Sequence, residues 1–343
     1  MITVSEYQGD AAEWDRYVNA HPEANNYHQY GWMKVIRESF NHKTTGLMAR
    51  DESGKVRGVL PLVQMKSSIF GNFLVSIPFV NYGGLLSDSV AAATPLLAAA
   101  VELRDRCGAR HVELRHLREE PFPLACKRHK VTMLLPLAEE PQQQWKGFNA
   151  KLRNQVRKAE KSSLTARFGG QELLDDFYEV FVRNMRDLGT PVYGRRFFER
   201  VLANFPDTTR IIGVYLEGRV VAAGIASWYR DTLEVPWASS HKDFRTLCPN
   251  NLLYWEAIRF AIGEGFRTFD FGRSTPGEGT FKFKEQWGAQ PHPLFWQYAL
   301  LPGESLPELS PDNPKYALAI RTWQRLPLWV TRFIGPSIVR NIP

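Results

Sequence analysis

The same order of expected elements occurs twice in this chain, and that repeat restricts the available folds more than any other feature. In the first half a helix, YGWMKVIRESF, precedes an apolar hairpin turning at residues 51–54. A strand region over 73–86, broken around NYGG, follows, then a helix over 92–106 stopped by Gly108, and the strand HVELRHL. In the second half the helix RRFFERVLANF precedes the hairpin RIIGVYLEGRVVAAGIASWY, turning at Glu217 and Gly218. A strand over 233–239, a helix over 252–264 stopped by Gly265, and a strand over 267–272 complete the copy. Setting Gly54 against Gly218 and Gly108 against Gly265 gives an offset of roughly 160 residues both times, a domain length rather than a solenoid period. Residues 31–118 and 196–273 are therefore expected to superpose as two α/β units. Ligands favour domain interfaces, so an acceptor substrate is expected between the copies.

At 343 residues, 44% hydrophobic and 23% charged, the chain has room for two ordinary domains and is globular. Cys107, Cys126 and Cys248 are odd in number and form no CxxC pair, which predicts a reduced cytoplasmic protein. The start, MITVSEYQGDAAEWDRY, carries acids early and does not read as a signal peptide. No run approaches the roughly 20 apolar residues a spanning helix needs. Expected segments are a first domain over 1–145, a connecting helix over 146–165, a second domain over 166–300, and a linker with an amphipathic tail over 301–343. VTMLLPL is read as an added strand of the first domain.

The net charge of +7 is partly clustered in KLRNQVRKAEK at 151–161. Such a stretch is either the solvated face of a helix or a contact for a nucleotide-sugar diphosphate, a lipid diphosphate or the acceptor arm of a transfer RNA. The tail from residue 315 mixes Trp323, Trp329 and Phe333 with Arg321, Arg325, Arg332 and Arg340. It reads as a helix packed back on the domains or as a peripheral contact with the inner membrane.

Polar residues of the second copy collect at strand ends and loops, where α/β sites form. Asn250 or Asn251 is expected to cap the helix, and Gly265 to end it in the left-handed region. The strand ending DFGRS at 270–274, followed by GTFKFK at 279–284 and Trp287-Gly288, resembles the second half of the FemAB-type transferases. These are GNAT-related and include the peptidoglycan-bridge aminoacyl transferases. The closest resemblance is to the FemAB-like proteins of exosortase and exopolysaccharide systems, and it extends over most of the chain.

That resemblance implies tandem GNAT-like domains, α/β (α+β) in class, with N-acyl transfer to an amino group of a cell-envelope or exopolysaccharide precursor, a nucleotide- or lipid-linked sugar. It implies that Lys284 contacts the reacting carbonyl or a donor phosphate. Lys282 is expected on the opposite face of an extended turn, and Phe283 beside Trp287 anchors the loop. On these terms Lys284 is an exposed side chain, and Lys284→Ala loses turnover without loss of stability. Asp270 accepts the proton, orients Arg273, or is buried with Arg273 as a structural pair. Asn81 and Tyr82 are candidate acceptor contacts in SIPFVNYGG, whose Gly83 and Gly84 permit close backbone approach. Tyr193 and Arg195 in GTPVYGRRFF, with Arg245, Asn250, Arg273, Lys282 and Phe283, are further substrate-binding candidates. Lys34 is a further one, for a nucleotide, with Ile36 as the alternative in that register.

An acyl-CoA enzyme of this kind cradles pyrophosphate on backbone N–H groups of a glycine-containing loop. Here HKDFRTLCPNN has no glycine and Pro249 removes a donor, leaving His241, Lys242 and Arg245 to hold phosphates by side chains. No tightly bound cofactor is expected, and the donor is aminoacyl-tRNA or acyl-CoA. The DFG at 270–272 lacks the rest of a kinase signature, no GxSxG elbow occurs, and histidine spacing predicts no metal. Two alternatives remain: a non-catalytic protein binding a glycan-lipid precursor at the membrane, and an acyl-CoA-dependent N-acetyltransferase.

Overall fold

The computed structural model describes residues 1–67, 70–307 and 314–342. In chain order the elements begin with β1 (Thr3–Glu6), α1 (Ala11–Ala20), α2 (Tyr30–Phe40), β2 (Lys43–Arg50), β3 (Val56–Ser67), β4 (Gly71–Val75) and β5 (Leu86–Ser87). Next come α3 (Val90–Arg106), β6 (His111–His116), β7 (Ala125–Lys127) and β8 (Val131–Pro136). The chain continues through α4 (Pro141–Gly147), α5 (Ala150–Lys161), β9 (Leu164–Gly169), α6 (Leu174–Leu188), α7 (Arg195–Asn204), β10 (Thr209–Leu216), β11 (Arg219–Tyr229) and β12 (Thr232–Ser240). It closes with α8 (Pro249–Gly263), β13 (Thr268–Ser274), α9 (Gly279–Glu285), β14 (Gln290–Pro293), β15 (Phe295–Leu300), α10 (Pro314–Arg325) and α11 (Leu328–Val339).

Two compact units result, each with its own sheet. The first holds Met1–Lys130 and takes back β15; its strands run β1-β2-β3-β4-β6-β15-β7, with β5 beside β3. The second holds Val131–His292 with α10 and α11, and its strands run β9-β10-β11-β12-β13-β8-β14. The two orders correspond place by place. In each, the fourth and fifth strands, β4 with β6 and β12 with β13, pair in parallel between antiparallel neighbours. The duplication expected from the glycine-aligned repeat is therefore present.

The division differs from the expected boundary at residue 145. VTMLLPL, expected to extend the first sheet, is β8 of the second, where Leu134 lies opposite Asp270 and Val131 opposite Ser274. Val131, Met133 and Leu135 alternate into that unit's core. The matching place beside β6 is filled by β15, with Phe295 opposite His116. An alternating strand specifies which face it buries and leaves the identity of its neighbour open.

The basic helix is α5, and it belongs to the second unit rather than standing as a connector. Leu152, Val156 and Ala159 join the core that includes Leu253, Ala257 and Ile258 of α8, while Lys151, Arg157, Lys158 and Lys161 are exposed. Burial of such aliphatic side chains contributes about 1.5–3 kcal/mol each. Helix α8 starts earlier than expected: Cys248 is its N-cap residue, with no side-chain cap bond, and Pro249 occupies the first turn. Proline at this position has its φ pre-set and lacks an N–H that would be unpaired anyway, which displaces the asparagine caps. Gly265, at φ +80°, ends the helix as expected.

The tail helices pack on α6, as the packed-back reading of the tail requires. Trp323 is buried, and Gln324 Nε2 donates to the Asp187 carbonyl. The docking is close at two glycines: a Cβ on Gly335 would lie 2.8 Å from Val192 Cγ1, and one on Gly189, itself at φ +78°, 2.4 Å from Ile320 Cγ2. Gly335→Val is expected to weaken this packing by about 1–3 kcal/mol through overpacking. Limited proteolysis should then cut the tail faster while the remainder of the chain stays protected.

Candidate functional site

The geometry that matters in the second unit is the parting of its two parallel strands. β12 and β13 pair from Thr232–Glu234 against Thr268–Asp270, and the pairing ends there while both strands continue. At the same point β13 shifts register against β8, between Asp270 and Arg273. Gly272 sits in that irregularity at φ +73°, a conformation that favours glycine. Its N–H donates to Asp270 Oδ1 at 2.7 Å, and Thr132 Oγ1 of β8 donates to the same oxygen at 2.6 Å. Asp270 is 1% exposed and thus ties the bulge to the neighbouring strand.

Lys284 reaches β13 beside the split. Its Nζ donates to the carbonyls of Gly272 and Arg273, at 2.8 and 2.9 Å. The residue is 8% exposed, so it is a buried lysine, which corrects the expectation of an exposed one. GTFKFKE is helix α9, not an extended turn. Phe283 and Trp287, one helical turn apart, come within 6.3 Å of each other, and Phe283 also packs on Tyr254 at 5.3 Å. Lys282 still faces away from Lys284 and is exposed, because two residues along a helix span about 200°. Burial pushes the Lys284 ammonium down to about 8, opposed by the carboxylates of Asp270 and Glu234 and assisted by Arg273. Glu234, 3% exposed and opposite Asp270 in the register, was not singled out from the sequence. A lone acid inside the apolar run LEVPW was the available signal. Asp270, Glu234, Arg273, Lys284 and Thr132 therefore converge on one place.

Other candidates lie elsewhere in the second unit. Arg195 is ion-paired with Asp175 at 2.7 Å and lies near Glu199, and Tyr193 is half-buried against Phe181, Phe197 and Phe198. In the loop before α8, Arg245 is exposed and Lys242 pairs with Asp187 at 3.5 Å. His241 is 1% exposed, so it does not present a side chain to solvent as expected; burial holds its imidazole below the usual range. The start of α8 does not fit a pyrophosphate cradle. Pro249 has no N–H, and the N–H groups of Asn251 and Leu252 both go to the Cys248 carbonyl.

In the first unit the corresponding split is filled by its own chain. β4 and β6 pair at Leu74–Val112 and Val75–Glu113, after which Ser76 N–H donates to the Glu113 carbonyl and Gly83 N–H to that of Arg115. Asn81 and Tyr82 lie buried in this segment, Tyr82 against Tyr27 at 5.2 Å. Ile77 and Phe79 hold φ of +51° and +71°, strain of about 1–3 kcal/mol each for side chains of this kind. The close approach expected at the glycine pair is real: a Cβ on Gly84 would lie 2.1 Å from His116 Cδ2. Lys34 is exposed on α2, whereas Ile36 is core and drops out as a ligand contact.

Residues 146–285 match the acetyltransferase (GNAT) domain family. The lipid II:glycine glycyltransferase of Staphylococcus haemolyticus (strain JCSC1435) is 31% identical over 84 residues, spanning 22% of this chain and 19% of that protein, about a fifth of its length. Among solved structures, FemX superposes with a TM-score of 0.68 at 15% identity, covering 87% of this chain and 97% of FemX. A tandem GNAT protein from the clavulanic acid biosynthesis pathway gives 0.58 at 13%, covering 89% and 100%. L-PGS from Bacillus licheniformis gives 0.58 at 12%, covering 92% and 98%. The class is thus a tandem GNAT-like fold whose second unit carries the recognised GNAT domain. The FemAB-like resemblance seen in the DFGRS and GTFKFK motifs is borne out by these matches.

Proposed function

We propose that the protein is a FemAB-like N-acyltransferase that moves an aminoacyl or acyl group onto an amino group of a cell-envelope or exopolysaccharide precursor. The observation that carries this is Lys284: a buried ammonium held at the split of the GNAT-like second unit, with Asp270 and Glu234 sustaining its charge. The acceptor amine attacks the donor carbonyl carbon, the carbonyl electrons move onto oxygen, and collapse breaks the bond to the ester oxygen or thioester sulfur, which leaves with the electron pair and takes up the proton given up by the nitrogen. Two of the ammonium's three protons engage backbone carbonyls, and the third is directed to the developing oxyanion. Asp270 acts as a positioning residue, since two donors already occupy its Oδ1.

The donor on this reading is aminoacyl-tRNA rather than acetyl-CoA, because the turn before α8 offers few converging N–H groups. The glycyl transfer to lipid II named for the staphylococcal relative agrees with an aminoacyl donor and a nucleotide- or lipid-linked acceptor. The test is to incubate the full chain with charged tRNA or acetyl-CoA and a peptide-bearing sugar linked to a nucleotide or polyprenyl diphosphate, and to weigh the products. One aminoacyl increment from charged tRNA is expected, with weak binding of acetyl-CoA by calorimetry. A tight stoichiometric acetyl-CoA complex would overturn the donor assignment. Acceptor binding without mass gain from any donor would favour a precursor-binding protein.

A further inference from the structure

The tail presents a surface whose chemistry the acyl-transfer reading does not use. On α11, Trp329 is 73% and Phe333 80% exposed, and a spacing of four places them on one helical face. Leu318 of α10 is 69% exposed. Around them Arg321 and Arg325 are exposed, Arg332 lays its guanidinium over the Tyr178 ring at 5.3 Å, and from Pro314 to the end of the sequence there is no aspartate or glutamate. The opposite side of the same helices is spoken for: Trp323, Thr331, Gly335 and Val339 are buried, with Gly335 against Val192. These helices are thus docked through one side and leave two large aromatics in water on the other. Such a face, apolar rings bordered by arginines without acids, is complementary to an anionic lipid surface, where rings enter the acyl boundary and guanidinium groups stay among the phosphates. Among the described residues no helix is long and apolar enough to cross a membrane, so the contact is a surface one.

We propose that α10 and α11 bind the second unit to the surface of an anionic bilayer, with Trp329 and Phe333 as the inserted side chains. The proposal stands on the tail alone and does not depend on the acyl-transfer reading. Flotation of the full chain with phosphatidylcholine vesicles, with and without phosphatidylglycerol, tests it. Binding is expected only where phosphatidylglycerol is present, and to weaken with salt. Trp329→Ala/Phe333→Ala should reduce the partition constant at least about tenfold, and Arg321→Gln/Arg325→Gln should reduce it on anionic vesicles. All these side chains are exposed, so unchanged thermal melts should accompany the losses. Absence of binding to anionic vesicles, or binding that both variants retain, would overturn the proposal. A dimer in light scattering that Trp329→Ala/Phe333→Ala dissolves would assign the face to a second copy of the chain instead.

Discussion

Lys284→Met is expected to lower kcat by about 100- to 1000-fold, the effect of removing one group that stabilises a developing oxyanion, with little change in stability. Methionine follows the path of the lysine stem without its charge, and Phe283 and Trp287 still anchor α9. Two carbonyls, of Gly272 and Arg273, lose a donor, but the cost of burying the ammonium disappears with them. Lys284→Ala is a different experiment, because truncating a side chain 8% exposed leaves a cavity as well as unpaired carbonyls. Its activity loss would be mixed with a loss of folding. The pH dependence of stability separates them further. Lys284 is pushed from 10.5 down to about 8 in the folded chain, so between these values the unfolded chain binds the extra proton. This group's contribution to stability therefore rises with pH from about 8 toward 10.5 and is flat below 8. Thermal melts across that window should show a rise in the parent that Lys284→Met lacks.

Asp270→Ala is expected to cost about 3 kcal/mol, because a buried hydroxyl and a buried N–H lose their shared acceptor at once. Those donors are Thr132 Oγ1 on β8 and the Gly272 N–H in the bulge, so the cooperative unit affected includes the strand junction beside the split. Denaturant titration should show the lower midpoint with an unchanged slope. Asp270→Asn keeps an oxygen acceptor and is expected to lose much less stability. It removes one of the two carboxylates that hold the Lys284 proton, so the lysine should titrate below its present value of about 8. An Asn variant that stays folded yet loses activity toward neutral pH would identify Asp270 as acting through Lys284. Equal losses of activity at every pH would give it a direct part instead.

The repeat was legible because its markers are local. Glycines that end helices and turn hairpins, Gly54, Gly108, Gly218 and Gly265, all hold positive φ in the structure. Strand partnership was not legible in the same way. VTMLLPL shows which face is buried, and nothing in its composition says that Asp270 rather than a residue of the preceding half lies opposite Leu134. The site was half visible. GTFKFKE alternates aromatic and basic residues and so reads as extended, whereas the chain forms a short helix from Gly279 to Glu285. Burial of Lys284 follows from that helix packing on β13, a long-range fact absent from the motif itself. The Asn81 and Tyr82 segment was recognised, but its occupation of the first unit's own strand split depends on strained residues, Ile77 and Phe79, that no propensity would place there.

The claim that a charged Lys284 performs the chemistry is tested most directly by the pH dependence of kcat/KM, measured with a saturating donor on the parent and Lys284→Arg. Because the protonated form is the one that stabilises the oxyanion, parent activity relative to Lys284→Arg, in which the ionisation of the acceptor amine cancels, should fall as pH rises through about 8. Arginine remains protonated throughout, so whatever activity Lys284→Arg retains should show no fall there. A ratio of parent to Lys284→Arg activity that rises through the same range, or a fall that persists unchanged in Lys284→Arg, would contradict the account.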